Sequence, residues 1–311
     1  FKRIMKNNKI LVIGSSNIDM TVKVDHLPLP GETVGNGTFE QAFGGKGANQ
    51  TVAAARLNGN VEFITCLGND VYADVLEKHF EKNNIQVSRV LRSETEPTGV
   101  ALIYISGDAE NCIAVAPGAN YELTKSDTPD IIKALDEASL LVLQAEIPYQ
   151  TNKELIHKAY QKNIRVMFNS APACKIDKET LAYIEYLIVN EGELQEVSGL
   201  KIEDKGLEYI VDVLLQEGVQ NVIVTLGKKG VYFKNNKKQI RVNSFAVEAL
   251  DTTGAGDTFC GALASRVAGN QEITEEILKY CCAASAISVT RRGAQTSIPY
   301  HEELMKFLED E

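Results

Sequence analysis

No run of apolar residues in this chain approaches the roughly 18 to 20 needed to cross a membrane. The N-terminal stretch FKRIMKNNKILVIG also lacks the long apolar core of a signal peptide. Both absences predict a cytoplasmic protein with no membrane partner. Positive charge is short as well: 32 Lys and Arg stand against 42 Asp and Glu, a formal net charge of −10. That balance excludes a general electrostatic grip on nucleic acid or an anionic bilayer, and favours a small-molecule partner. Histidine is scarce and cysteine has no pattern. The four histidines (His26, His79, His157, His301) lie far apart, and the six cysteines (Cys66, Cys112, Cys174, Cys260, Cys281, Cys282) show no C-x-x-C spacing. Neither a zinc site nor a disulfide framework is expected; the thiols read as buried and the imidazoles as surface groups.

What is present is enough apolar material, 44% of 311 residues, to build one large domain or two modest ones. Residues 5–311 are treated as a single domain, and residues 1–4, ahead of Met5, are set aside as a cloning remnant. Short apolar runs recur as KILVIG, VEFITCLG, LLVLQAE, IRVMFN, YLIVN and NVIVTLG. Between most of them lie amphipathic stretches such as YADVLEKHFEKNN, TNKELIHKAYQKN and LEYIVDVLLQEG. Apolar strands alternating with helices predict an α/β protein whose mainly parallel sheet is covered on both faces. Residues 19–43 and 97–116 break the rhythm: both alternate apolar and polar and carry turn residues, which suggests antiparallel strands. They are expected to form one small β layer from two insertions, serving as a lid or an oligomer contact, with an antiparallel edge of the main sheet as the plainer alternative.

Several motifs fall at the turns. In ALDTTGAGDTFCGALAS, residues 249–265, the preceding IRVNSFAVEAL reads as a strand and the following residues as a helix. An Asp cap and permissive glycines account for such a turn without any function. Alternatively, Gly254 and Gly256 let backbone N–H groups converge on an anion at the helix start. Asp257 would then be out of place beside a phosphate unless it takes a proton from an attacking hydroxyl. FGGKGANQT, residues 43–51, sets Gly44, Gly45 and Gly47 around Lys46 ahead of Asn49, offering donors to hydroxyl oxygens or simply starting a helix. It is not a P-loop, because Glu40 stands where the first glycine belongs and Gly47 where Ser or Thr belongs. A dinucleotide fingerprint counted from Gly254 fails at Phe259. Asn17 and Asp19 follow the first strand and Glu146 ends another, so acids and an amide converge on one sheet edge. Such groups are costly to desolvate unpartnered, and a polyol is their natural ligand. Asn190 and Glu193 read equally as a capping box or as groups ordering Mg²⁺-bound water. TLGKKG, residues 225–230, links two strands as a Gly-rich turn.

GGKGANQT and DTTGAGDTFCGA, with NEGE and TLGKKG in order between them, resemble the ribokinase family of carbohydrate kinases, the PfkB-like kinases; GSSNID, PGET, APGAN and RRGAQTS add to the likeness. The resemblance runs from Lys9 to about Pro299. It implies a Rossmann-like three-layer α/β/α sandwich with a small β-sheet lid through which such kinases commonly form homodimers. It also implies ATP-dependent phosphorylation of a sugar, D-ribose at O5 giving D-ribose 5-phosphate and ADP, with 2-deoxyribose or a nucleoside as alternative acceptors. A non-catalytic sugar or nucleotide sensor is the reading from another class. By resemblance the sugar is held by Asn17, Asp19, Gly45, Lys46, Gly47, Asn49 and Glu146, and Asp257 is the base. Gly254, Ala255 and Gly256 form the anion hole. The nucleotide meets Asn190, Glu193, Thr225, Leu226, Gly227, Lys228, Lys229, Gly230, Gly256, Asp257 and Cys282, with Mg²⁺. A monovalent cation, usually K⁺, is expected at Asp251, Thr253, Ser288, Arg291, Gly293 and Ser297, partly through backbone carbonyls. Cys282, where many relatives are more polar, and Ala145, where leucine is common, depart from the pattern.

Overall fold

The computed structural model describes residues 8–108, 110–124 and 128–310. The expected remnant at residues 1–4 lies outside the described residues. In chain order the elements are β1 (Lys9–Ile13), β2 (Asn17–Lys23), β3 (Thr38–Gly44), α1 (Lys46–Arg56), β4 (Asn60–Ile64), β5 (Cys66–Gly68), α2 (Val71–Lys82), β6 (Leu91–Ser93), β7 (Gly99–Ile105), β8 (Asn111–Ala116), α3 (Pro129–Glu137), β9 (Leu140–Gln144) and α4 (Tyr149–Gln161). There follow β10 (Arg165–Asn169), α5 (Lys178–Leu181), β11 (Tyr186–Asn190), α6 (Glu191–Ser198), α7 (Ile202–Lys205), α8 (Leu207–Gln216), β12 (Asn221–Thr225), β13 (Val231–Asn235), β14 (Gln239–Val242), α9 (Ala255–Val267), α10 (Glu275–Val289), α11 (Ala294–Ser297) and α12 (His301–Asp310).

The main sheet has eight strands in the order β14-β13-β12-β11-β10-β9-β1-β4. It is parallel from β4 to β12, and β13 and β14 turn back antiparallel. Strands such as β1 and β9 are buried at every position, so their sequences are apolar throughout instead of alternating. The pleat still sorts them. Ile10 and Val12 join the core beneath α1, α2, α9 and α10 with Val52, Phe80, Leu263 and Leu278, while Leu11 and Ile13 join the opposite core with Leu135, Leu155, Leu194 and Leu214. Two cores on two faces make the three-layer α/β/α sandwich.

A second sheet of four strands, β3-β2-β7-β8, stands apart from the main one. Each of its two chain segments is an antiparallel pair, β2 with β3 and β7 with β8. The seam between them corrects the antiparallel expectation: β2 and β7 run parallel, from Asn17 opposite Gly99 to Lys23 opposite Ile105. Four other details differ from the sequence reading. VEFITCLG breaks into β4 and β5, and β5 pairs with β6 in a separate two-stranded sheet. The strand read into IRVNSFAVEAL ends at Val242, because the chain leaves the sheet edge and residues 243–254 cross to α9 as a loop. Among the histidines only His26 is exposed; His79, His157 and His301 are half-buried against neighbouring rings. Cys112 is exposed and Cys174 half-buried, and all six cysteines are free thiols. Among the described residues no helix is long and apolar enough to cross a membrane.

Candidate active site

The helices α2, α3, α6 and α10 are closed at their N-termini by the side chains of Asp70, Thr128, Asn190 and Thr274. α1 and α9 are different: glycines cap both, and neither has a side-chain cap. Gly254 adopts φ 74°, a left-handed conformation that a side chain would oppose. The result is a helix start whose Gly256 and Asp257 N–H groups find no acceptor among the described residues. Those free donors, at the positive end of α9, suit an anion.

Asp257, in the first turn of α9, is 5% exposed. Its two carboxylate oxygens are held separately, Oδ2 by Nδ2 of Asn49 at 2.9 Å and Oδ1 by Nε2 of Gln50 at 3.0 Å. Both amides come from α1, Asn49 from its first turn and Gln50 from the residue after it. The two helices approach closely because Gly261 has no side chain: a Cβ there would stand 2.4 Å from Cβ of Ala53. Behind this pair runs an amide network in which Gln50 also donates to Asn169 Oδ1 at 3.0 Å and accepts from Gln144 Nε2 at 2.8 Å. Asn49 accepts from Gln295 Nε2 at 3.0 Å.

A cavity of about 190 Å³ is lined by Ser15, Asn17, Asn120, Glu146 and, from the second sheet, Val115. Glu146 Oε2 accepts from Ser15 Oγ at 2.6 Å and from Lys46 N at 2.8 Å, and Ser15 Oγ in turn accepts from Gly47 N at 3.2 Å. Gly45 forms the cap of α1, with its carbonyl accepting from Asn49 N. Asn17 Oδ1 accepts from Asn120 Nδ2 at 2.8 Å. Asp19, on β2, accepts no hydrogen bond among the described residues, and burial, with Glu146 and Asp257 nearby and Lys46 opposing, pushes its carboxyl up to about 7. The charges of Asp257, Glu146 and Glu193 overcome burial at Lys46 and hold its ammonium above the ordinary lysine value. An acidic, half-desolvated group without donors is the signature of a site awaiting hydroxyls.

A second cavity, of about 260 Å³, is lined by Thr225, Gly227, Lys228 and Gly230 from the 225–230 turn, by Phe245, Val247 and Ala249 from the long loop, by Cys282, Ala286 and Val289 of α10, and by Ala255 and Gly256, the residues just before Asp257. Its walls are mostly apolar, with the glycine-rich turn and helix start at its polar end. Burial pushes the Cys282 thiol up to about 12, leaving a neutral, weakly polar wall. Leu226 packs into the core beside β12, and Lys229 is exposed outside the cavity lining. Asn190 and Glu193 form the capping box, Asn190 Oδ1 accepting from Glu193 N and Glu193 Oε2 from Asn190 N, both at 2.8 Å. They do not line this cavity, but burial raises the Glu193 carboxyl and its charge reaches Lys46 and Asp257.

Of the six positions grouped around Asp251, three meet directly. Asp251 Oδ1 accepts from Thr253 N at 2.9 Å and Oδ2 from Gly293 N at 2.8 Å. Burial opposes its ionisation, but these bonds and Arg292 outweigh it and hold the carboxyl below the ordinary value. Ser288 and Ser297 spend their hydroxyls on Ser285 O and Ala294 O, and the Arg291 guanidinium pairs with Glu303. Those three can offer only backbone or second lone-pair oxygens. The whole turn is tied to the end of α10, since Leu250 and Asp251 both donate to Val289 O.

Size does not locate the chemistry: a cavity of about 1010 Å³, larger than either of these two, opens at the opposite edge of the sheet beside Arg165, Tyr186 and Asn221 and has none of the motifs. Sequence reading missed Ser15, Gln50, Asn120, Gln144, Asn169 and Gln295. All six sat inside quoted stretches (GSSNID, GGKGANQT, APGAN, LLVLQAE, IRVMFN and RRGAQTS), but none was singled out as a site residue.

The chain matches the model of the pfkB family of carbohydrate kinases over residues 7–300. It is 35% identical to a ribokinase of Haemophilus influenzae, covering 96% of this chain and 98% of that one. It is 33% identical to a deoxyribokinase of Salmonella typhi, with 96% and 98% covered. A solved structure of Arabidopsis thaliana ribokinase complexed with ribose and ATP superposes with a TM-score of 0.89 at 30% identity, covering 96% of this chain and 98% of that one.

Proposed function

The chain belongs to the pfkB family of carbohydrate kinases, and from that premise we propose that it transfers the γ-phosphoryl group of ATP to O5 of D-ribose, giving D-ribose 5-phosphate and ADP. One observation carries the proposal: Ala255 and Gly256 line the apolar cavity, and the next residue, Asp257, is held by Asn49 and Gln50 close enough to Asp19 for the two charges to act on each other. A single helical turn thus separates a site shaped for a flat base and phosphates from a site shaped for a polyol.

In this reading Asp19, Asn17 and Glu146 accept hydroxyls of the sugar, Lys46 and Asn49 contribute donors, and the backbone of Gly45 and Gly47 shapes the floor. Asp257 accepts the proton of the 5-hydroxyl as it attacks. The free amides of Gly256 and Asp257, in the turn that opens at Gly254 and Ala255, receive the charge that develops on the transferring oxygens, where one such donor contributes roughly 3 kcal/mol. Thr225, Gly227, Lys228 and Gly230 border the nucleotide, and Cys282 faces its base.

The donor sets fit the two cations expected. Mg²⁺ would be carried in on phosphates and keep most of its water, with Asn190 and Glu193, joined in their capping box, ordering that water. One carboxylate, Asp251, beside the carbonyls of the 288–297 turn suits a singly charged ion such as K⁺, which would steady the loop that leads into Gly254. The second sheet, assembled from about residues 19–43 and 97–116 of the single domain 5–311, acts as a lid: Val115 reaches the sugar cavity. Its other face would join two copies.

The test is ADP release with ATP, Mg²⁺ and K⁺ against D-ribose, 2-deoxy-D-ribose, fructose and adenosine. Selective turnover of ribose supports the proposal. Preference for 2-deoxyribose, which the deoxyribokinase relative makes the second reading, or for adenosine overturns the acceptor and keeps the mechanism. Silence across the panel with ATP still bound favours a sensor.

A further inference from the structure

A chain of contacts through residues that line neither cavity leaves Asp257 and ends on the second sheet. Asn49 Nδ2 donates to Asp257 Oδ2 at 2.9 Å, Gln295 Nε2 donates to Asn49 Oδ1 at 3.0 Å, and Gln295 Oε1 lies 2.8 Å from Nε2 of His79. The His79 ring is stacked on Phe43 of β3, with centroids 4.1 Å apart and planes inclined by 28°. Gln295 is 1% exposed and Asn49 6%, so water does not readily replace a lost partner.

The polarity of this chain follows from its end. An ionised carboxylate only accepts, so Asn49 must turn its NH₂ to Asp257 and its carbonyl to Gln295. Gln295 must then offer its own NH₂ to Asn49 and its carbonyl to His79. The last link needs a donor, and His79 must carry its proton on Nε2. Reversing any member sets two acceptors or two donors face to face in a dry interior. Burial keeps the His79 imidazole below its ordinary value, with Arg56 and Lys82 adding to that effect and Gln295 opposing it, so the neutral Nε2–H form is the one available. Arg56 also fixes the far end by donating to Gln295 O at 2.7 Å and Ile298 O at 2.9 Å.

We propose that His79 is a positioning residue for the phosphoryl transfer: its Nε2–H, oriented by the ring of Phe43, sets the Gln295 and Asn49 amides that aim Asp257. The inference rests on Asp257 being the base. It makes the placement of the base depend on where β3 sits, and therefore joins the second sheet to the reacting centre without passing through the substrate. His79 lines neither cavity, and its effect falls on kcat while KM for ATP stays unchanged.

The experiment compares His79→Phe, which keeps a ring against Phe43 without a donor, with Gln295→Met, the double variant and His79→Gln, which keeps a donor. The expected result is a loss of about tenfold in kcat for each single variant, the cost of a misplaced group, with KM for ATP unchanged. The double variant should lose no more than the worse single one, and His79→Gln should recover most of the rate. Nitrogen-15 spectra of the ligand-free protein, which has only four histidines, should show His79 as the Nε2–H tautomer. Unaltered kcat in a folded His79→Phe protein, additive losses in the double variant, or the Nδ1–H tautomer would each overturn the proposal. If His79→Phe fails to fold, His79→Gln and the tautomer still decide it. Normal turnover by Asp257→Asn would instead remove the base itself, so the two failures are distinguishable.

Discussion

Asn49 Nδ2 donates to Asp257 Oδ2 at 2.9 Å across 208 positions of sequence, so the first turns of two distant helices act as one unit. With Gln50 on the other oxygen, the carboxylate can neither rotate nor drift. Asp257→Asn should therefore lose at least about 100-fold in kcat while circular dichroism and the thermal midpoint stay close to those of the parent. A variant with near-normal turnover would rule out Asp257 as the base.

Asp19 titrates at about 7 in the ligand-free protein because burial and two acidic neighbours disfavour its charge. Sugar hydroxyls donate to the ionised form, so KM for the sugar should rise as pH falls below about 7, and Asp19→Asn should flatten that dependence. The linkage to stability has the opposite sense. The folded state retains a proton that the unfolded chain releases near 3.8, so this group costs stability as pH climbs from there through 7. Sugar KM between pH 5.5 and 8.5, measured with ATP saturating, decides; a flat profile in the parent would mean that Asp19 does not receive the hydroxyls.

Asp251 ties Thr253, ahead of the anion-binding turn, to Gly293. Activity should rise with K⁺ and be lower in Na⁺ or Tris, and Asp251→Ala should remove the response. Rates in matched chloride salts at constant ionic strength provide the comparison. Indifference to K⁺ in the parent would take the cation out of the mechanism.

Side chains alternate across β2 and β7, so Met20, Val22, Leu102 and Tyr104 lie on the face turned away from Asp19, joined by Phe39 opposite Val22. Phe39, Leu102 and Tyr104 are 61%, 45% and 38% exposed. A homodimer through this face predicts a doubled light-scattering mass at micromolar concentration, reduced to that of one chain by Leu102→Glu. A parent of single-chain mass would refute the dimer.

The parallel layer was legible because covering a sheet on both faces leaves uniformly apolar runs, as in KILVI and LLVLQ. The turns of the candidate site were legible for a related reason, since glycines beside polar residues mark places where backbone must come close to something. Partnership between amides left no comparable trace. Gln50 occupies an ordinary interior position of α1, and only the fold brings Asp257, Asn169 and Gln144 to it. The parallel seam of β2 and β7 was hidden because alternation reports which face is covered and nothing about direction. The long loop before α9 was misread because SFAVEAL has strand-like alternation that here serves to line a cavity.

The second sheet is woven from two stretches whose central strands pair residue for residue, Asn17 with Gly99 and Lys23 with Ile105. Everything from β3 to β6 must be made and folded between those partners, so this sheet closes late and at the entropic expense of a long loop. It is therefore not a detachable module. Neither half can be excised, grafted onto another scaffold or swapped among relatives alone, and a change of acceptor specificity that requires a new cover must recruit both segments together.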